Sequence, residues 1–193
     1  MGSDVLRTFF AVEIGDAARR EARAVAERLA AEPGGDAVRW SRPEAYHVTL
    51  RFLGATPHAR VADVAAAVRA AVRDVAPFSL RLGALHGFPT PRRPRVVVLD
   101  LEPPDAIVAV AARVESAVVE AGFAPEARGF HPHVTLGRVK ERARRAPRLH
   151  ATLGPADPAP FRVEQVVFFR SELAPAGSRY TPLQRIPLGG ADS

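Results

Sequence analysis

Two tetrapeptides in this 193-residue chain read His-Val-Thr-Leu, at residues 47–50 and again at 133–136, although the chain has only six histidines. In an extended strand, residues two apart project to the same face. His47 and Thr49 therefore project together, as do His133 and Thr135. Val48, Leu50, Val134 and Leu136 take the opposite, core-facing side. Imidazole titrates near pH 6.5, so two of them across a cleft suit acid–base work at neutral pH. One removes a proton while the other donates one to a leaving group. A threonine hydroxyl beside each ring can hydrogen-bond phosphoryl oxygens and hold them between the histidines. This is a constellation for phosphoryl transfer or phosphodiester cleavage without a metal.

One His-Val-Thr-Leu on a half-buried strand would mean little, and the duplication is what carries the signal. His131 and His133 also form a His-x-His pair that could bind zinc with His47 as third ligand. No carboxylate stands at ligand spacing nearby, and the chain has no cysteine, so neither metal nor cofactor is expected. His58, His86 and His150 fall in expected loops or at a helix start and read as solvated surface residues.

The elements that must position the motifs follow from periodicity. Residues 6–14 (LRTFFAVEI) read as a strand ending at Gly15. A helix from Asp16 carries Ala18, Ala22, Val25 and Leu29 on one face and stops at Pro33-Gly34-Gly35. A short strand at 38–40 and a turn around Pro43 lead into the first motif strand, 46–53. A second helix, 59–75, places Val61, Val64, Val68, Val72 and Val75 on one face. Strands are expected at 79–85 and 95–101, the latter buried on both faces. Pro103-Pro104-Asp105 opens a helix with Ile107, Val110, Val114 and Val118 inward, closed by Gly122. The second motif strand spans 132–139, a long strand 161–170, and an edge strand 180–186 follows a turn at 175–177. Each half thus runs strand, helix, motif strand, so two pseudo-symmetric lobes would bring the motifs to one cleft.

The length suits a single domain over residues 1–193 built from these two lobes. The absence of an apolar span or leader pattern points to a cytoplasmic protein without membrane contact, expected to be a monomer. The net charge of +6 is concentrated. Arg138, Lys140, Arg142, Arg144, Arg145 and Arg148 stand against the single acid Glu141, and Arg92, Arg93 and Arg95 cluster in FPTPRRPR. Two basic loops on an otherwise balanced chain favour a polyanionic partner.

With these residues in view, the chain resembles the 2H phosphoesterases, specifically the RNA 2′,3′-cyclic phosphodiesterases historically called 2′-5′ RNA ligases. The resemblance rests on LRTFFAVEI, VRWSRPEAYHVTLRFLG, GFPTPRRPRVVV, GFAPEARGFHPHVTLGRV and VVFFRSELAPAGSRYTPL. It implies an α+β fold of two pseudo-symmetric lobes, mainly antiparallel sheet with flanking helices, around a central cleft. It also implies a metal-independent mechanism with His47 as proton donor and His133 as proton acceptor, Thr49 and Thr135 steadying the phosphate. The substrates it implies are RNA with 2′,3′-cyclic phosphate ends or small cyclic nucleotides.

Strand alternation places Arg51 on the face of His47 and Thr49, within reach of a substrate phosphate. Arg138 follows the second motif as in the family, but a regular strand would turn it away from His133, so a bulge or strand end must bring it inward. Arg128, just before the second motif strand, is a further candidate phosphate or sugar contact, and Phe52 is assigned to the core. Two rivals share the site: 2′-5′ ligation of RNA ends, and a nucleotide- or RNA-binding module without turnover.

Overall fold

The structure, a computed structural model, describes residues 5–91, 93–141, 147–174 and 177–189. Arg92, Arg142, Arg144 and Arg145 of the basic segments, and most of the turn expected at 175–177, lie outside the described residues. In chain order the elements are β1 (Val5–Glu13), α1 (Asp16–Ala31), β2 (Val38–Trp40), β3 (His47–Pro57), α2 (Val61–Val72), β4 (Phe78–Phe88), β5 (Val96–Glu102), α3 (Asp105–Glu120), β6 (His133–Val139), β7 (Phe161–Val163), β8 (Gln165–Ala174) and β9 (Gly177–Pro187).

All strand pairs are antiparallel and form one curled sheet in the order β7-β4-β5-β6-β3-β1-β8-β9, with β2 beside β6. The order is symmetric about the β6–β3 junction, which is closed by one pair, Val48 opposite Val134. Each motif strand is flanked by a strand that leads into a helix of its own half, β1 (before α1) beside β3 and β5 (before α3) beside β6.

The helices cover one face of this sheet. The apolar stripe of α1 (Ala18, Ala22, Val25, Leu29) and that of α3 (Ile107, Val110, Val114, Val118) pack with Phe10, Val48, Leu99, Val134, Leu136 and Phe168 into one continuous core. Phe10 and Phe168 stack at 4.2 Å inside it. Each such fully buried side chain stabilises the fold by about 1.5–3 kcal/mol, which outweighs the weak ends of these helices, none of which has a side-chain cap. The helices are exchanged between halves: α1 contacts β6 and β4, whereas α3 contacts β3. Gly122, at φ 92°, ends the α3 segment in a left-handed conformation that glycine adopts without strain.

Three expectations need correction. The strand expected over 161–170 is two strands, because the chain crosses from one half to the other at Glu164. Phe161–Val163 pairs with β4, Gln165–Ala174 pairs with β1, and the Glu164 carbonyl accepts instead from the Leu188 N–H at 2.8 Å. The second helix is shorter than its apolar repeat, its first turn being the 3₁₀ segment His58–Arg60. In β5, Val97, Val98, Leu99 and Leu101 are buried, but Asp100 and Val96 are only partly so, on the face opposite the helices.

Candidate active site

The face of the sheet away from the helices carries both histidine–threonine pairs. The Val48–Val134 rung sets β3 and β6 antiparallel, so the two motifs meet head to tail about that point. All four polar side chains are partly buried there, while Val48, Leu50, Val134 and Leu136 are buried in the core as alternation requires.

Both rings are anchored in the same way. His47 Nδ1–H donates to the Ala45 carbonyl at 2.8 Å, and His133 Nδ1–H donates to the His131 carbonyl at 2.7 Å. In each ring the carbonyl fixes the proton on Nδ1 and leaves Nε2 as the nitrogen able to exchange one. Nε2 of His47 accepts from the Thr49 hydroxyl at 3.0 Å. Each histidine also has a carboxylate directly across its ladder, Glu13 opposite His47 and Asp100 opposite His133. Arg185 holds Glu13 at 2.5 Å, and the His131 Nε2–H donates to Asp100 at 2.9 Å.

The surroundings of the two histidines differ. His47 lies in an aromatic box, with Phe9 at 5.0 Å and Tyr180 edge-on at 5.0 Å. That burial pushes its pKa down to about 4; the Ala45 hydrogen bond and the Glu13 charge oppose the shift, and the His133 charge adds to it. His133 packs against Phe88 at 5.5 Å in a ring array with His131 and His86. Burial lowers its pKa as well, and the positive charges of His131 and Arg138 act in the same direction. The His131 carbonyl and Asp100 raise it.

The arginines separate into three environments. A bulge in β3 breaks the alternation, since Ala11 faces Thr49 while its neighbour Phe10 faces Arg51. Leu50 and Arg51 are consequently both buried, and Arg51 turns away from the cleft to bind Glu115 of α3 and the carbonyls of Phe52 and Ala124. Arg51 is thus not on the face of His47. The same bulge corrects Phe52, which is 47% exposed on the cleft face and contacts Phe9 at 5.4 Å.

An equivalent bulge lies in β6, where Val98 faces Thr135 and Val97 faces Gly137. It turns Gly137 inward and leaves Arg138 exposed on the cleft face, close enough for its charge to act on His133. At 137 a Cβ would stand 2.6 Å from Val38 Cγ1, so the close approach of β2 requires glycine. Arg128 is 90% exposed on the connection before β6 and is held by Glu126 at 3.6 Å.

Sequence reasoning missed His86, which lies within β4 and not in a loop, with its ring 6.1 Å from that of His131. It also missed the carboxylates. Among the described residues no three His, Asp or Glu side chains are arranged to hold a metal ion. Nε2 of His131 is occupied by Asp100 and Nδ1 of His133 by a carbonyl, so neither nitrogen is free for the zinc site that the His-x-His pair offered as an alternative.

Two histidine–threonine strands paired at the centre of a curled antiparallel sheet define a two-histidine phosphoesterase architecture. The model of the 2′-5′ RNA ligase superfamily matches residues 16–174, and the chain belongs to that family. It is 32% identical over 182 residues to a Methanothermobacter thermautotrophicus protein named RNA 2′,3′-cyclic phosphodiesterase, covering 93% of this chain and 97% of that one. A crystal structure from Thermus thermophilus superposes with a TM-score of 0.79 at 29% identity, covering 97% and 100% of the two chains. E. coli LigT complexed with 3′-AMP superposes with a TM-score of 0.75 at 26% identity, covering 95% and 98%.

Proposed function

We propose that this protein hydrolyses RNA 2′,3′-cyclic phosphate ends to 2′-phosphates in the cytoplasm, without a metal, through His47 and His133. The observation that carries the reading is the matched anchoring of the two rings, each with Nδ1 on a carbonyl and Nε2 left for chemistry. Water attacks phosphorus as His133 Nε2 takes its proton. The P–O3′ bond opens on the opposite side of phosphorus, and O3′ receives a proton from His47 Nε2. Thr49 and Thr135 hold the non-bridging oxygens between the rings. With its pKa held down to about 4 by burial, His47 is neutral at pH 7; an anionic phosphate offsets that burial, so the ring takes up its proton as substrate binds.

The oxygen that leaves tests the assignment. The product should carry a 2′-phosphate and a free 3′-hydroxyl, readable by phosphorus NMR, and turnover should survive exhaustive chelation. Predominant 3′-phosphate would require the substrate to lie the other way round. The family description favours a second outcome of the same chemistry. An RNA 5′-hydroxyl in place of water would give a 2′-5′ linkage, and supplying such an RNA alongside the cyclic end tests for the joined product.

A further inference from the structure

The two reactive rings are anchored alike, yet the carbonyls that anchor them are held in different ways. Ala45 lies in the 3₁₀ turn Pro43–Ala45, where its N–H donates to the Arg42 carbonyl at 2.9 Å and the Tyr46 N–H donates to the Pro43 carbonyl at 3.1 Å. The main chain itself therefore fixes the acceptor for His47. His131 belongs to the connection 123–132, which contains no helix or strand. Side chains tie that connection down. Arg51 donates to the Ala124 carbonyl, the Glu115 carboxylate accepts from the Glu126 N–H at 2.8 Å, and Asp100 accepts from the His131 ring at 2.9 Å. The last of these tethers lies nearest to His133.

Asp100 is a firm point of attachment, because Leu99 and Leu101 on either side of it are buried in the core. The side chains of His131 and Asp100 are 49% and 26% exposed, and a pair so open to water contributes little to stability. Its consequence lies in what it holds in place. The His131 ring also meets Phe88 edge-on at 5.1 Å and lies 6.1 Å from the ring of His86. Buried Pro132 follows it and restricts residue 131 to extended backbone. Carboxylate, rings and proline together aim the His131 carbonyl at His133 Nδ1–H, 2.7 Å away.

We infer that His131 is a positioning residue for the general base: Asp100 holds its side chain, and its carbonyl keeps the proton of His133 on Nδ1. This rests on the proposed role of His133 as proton acceptor and adds to it the residues that select its tautomer. Only the Nδ1–H tautomer can take a proton from water at Nε2, whereas an unconstrained neutral imidazole favours the Nε2–H form. Loss of a group that orients a catalytic imidazole by direct contact costs about 10⁴-fold in kcat. Here the carbonyl survives and only its tether goes, so the loss should be smaller.

Four variants test this. His131→Leu removes the donor to Asp100, and His131→Gln keeps an N–H donor near the place of Nε2 without a charge. Asp100→Ala removes the acceptor, and Asp100→Asn keeps one. Nitrogen-15 NMR of the histidine rings at alkaline pH, where they are neutral, reads the tautomer of His133. Steady-state kinetics on a mononucleotide 2′,3′-cyclic phosphate are measured in parallel. His131→Leu and Asp100→Ala should move His133 toward the Nε2–H form and lower kcat roughly tenfold, with KM within about twofold of wild type. His131→Gln should keep the Nδ1–H form and restore most of kcat. The charged and titratable groups around His133 are Asp100, His131, His86, Arg138 and His47. Asp100→Asn removes one of those charges and so moves the pH–rate limb, but it should leave the tautomer alone. His47, anchored by the main chain, should keep its tautomer in all four.

A wild-type tautomer of His133 in His131→Leu overturns the inference, whether kcat is retained or falls together with Tm. An equal loss in His131→Gln would assign the effect to the ring's bulk or charge and overturn it too. If wild type turned over no cyclic phosphate while His131→Leu still changed the His133 tautomer, the proposed reaction would fail and the positioning role would stand.

Discussion

Asp100 stands directly across the β5–β6 ladder from His133, and its carboxylate accepts from the neighbouring His131 ring at 2.9 Å. A carboxylate in that place favours the protonated form of His133. Its removal should therefore lower the proton affinity of that ring and no other in the motif pair. In Asp100→Asn the limb of the pH–rate profile carried by His133 should move to lower pH. Asp100→Glu should restore it. NMR titration of the His133 ring checks the shift without turnover, and an unmoved titration would refute the assignment.

On the proposed mechanism, replacing His47 or His133 removes one end of the proton transfer. His47→Ala and His133→Ala should each lose about 10²–10⁴-fold in kcat. The double variant should fall far short of the product of the two losses, because the rings act on one reaction coordinate. Near wild-type turnover by His133→Ala, followed by product analysis on a cyclic nucleotide, would remove the two-histidine reading.

Burial of His47 also links stability to pH. Its folded pKa of about 4 lies below the ordinary 6.5, so between those values the unfolded chain binds a proton that the folded chain refuses. Stability should be unaffected by this group above pH 6.5 and should fall as the pH drops toward 4, by something on the order of 2–3 kcal/mol. Urea unfolding across that window should show the slope in wild type, and His47→Gln should flatten it.

Arg51 should prove structural. It is buried, with its charge matched by Glu115 and its remaining donors on two carbonyls. Truncation to alanine leaves Glu115 without its cation and should cost about 3–5 kcal/mol of stability. The folded fraction should keep its KM for a mononucleotide substrate. A raised KM with unchanged Tm would instead return Arg51 to the cleft.

The histidine pair, its threonines and the repeated architecture were legible in the chain itself. A period of two obliges residues 47 and 49, or 133 and 135, to share a face whatever surrounds them, and apolar stripes such as Val110–Val114–Val118 have few ways to be buried. The fate of the arginines was not legible. Alternation extends only as far as a ladder stays regular, and both motif strands carry a bulge right after the threonine. One extra residue reverses every later side chain, sending Arg51 to the helices and Phe52 and Arg138 to the cleft. That bulge exists because β3 and β6 must fit the strands beside them, a requirement no local pattern expresses. The same holds for Glu13, Asp100 and His86. Each reaches the site only through strand register between segments distant in the chain, and only the folded sheet decides that register.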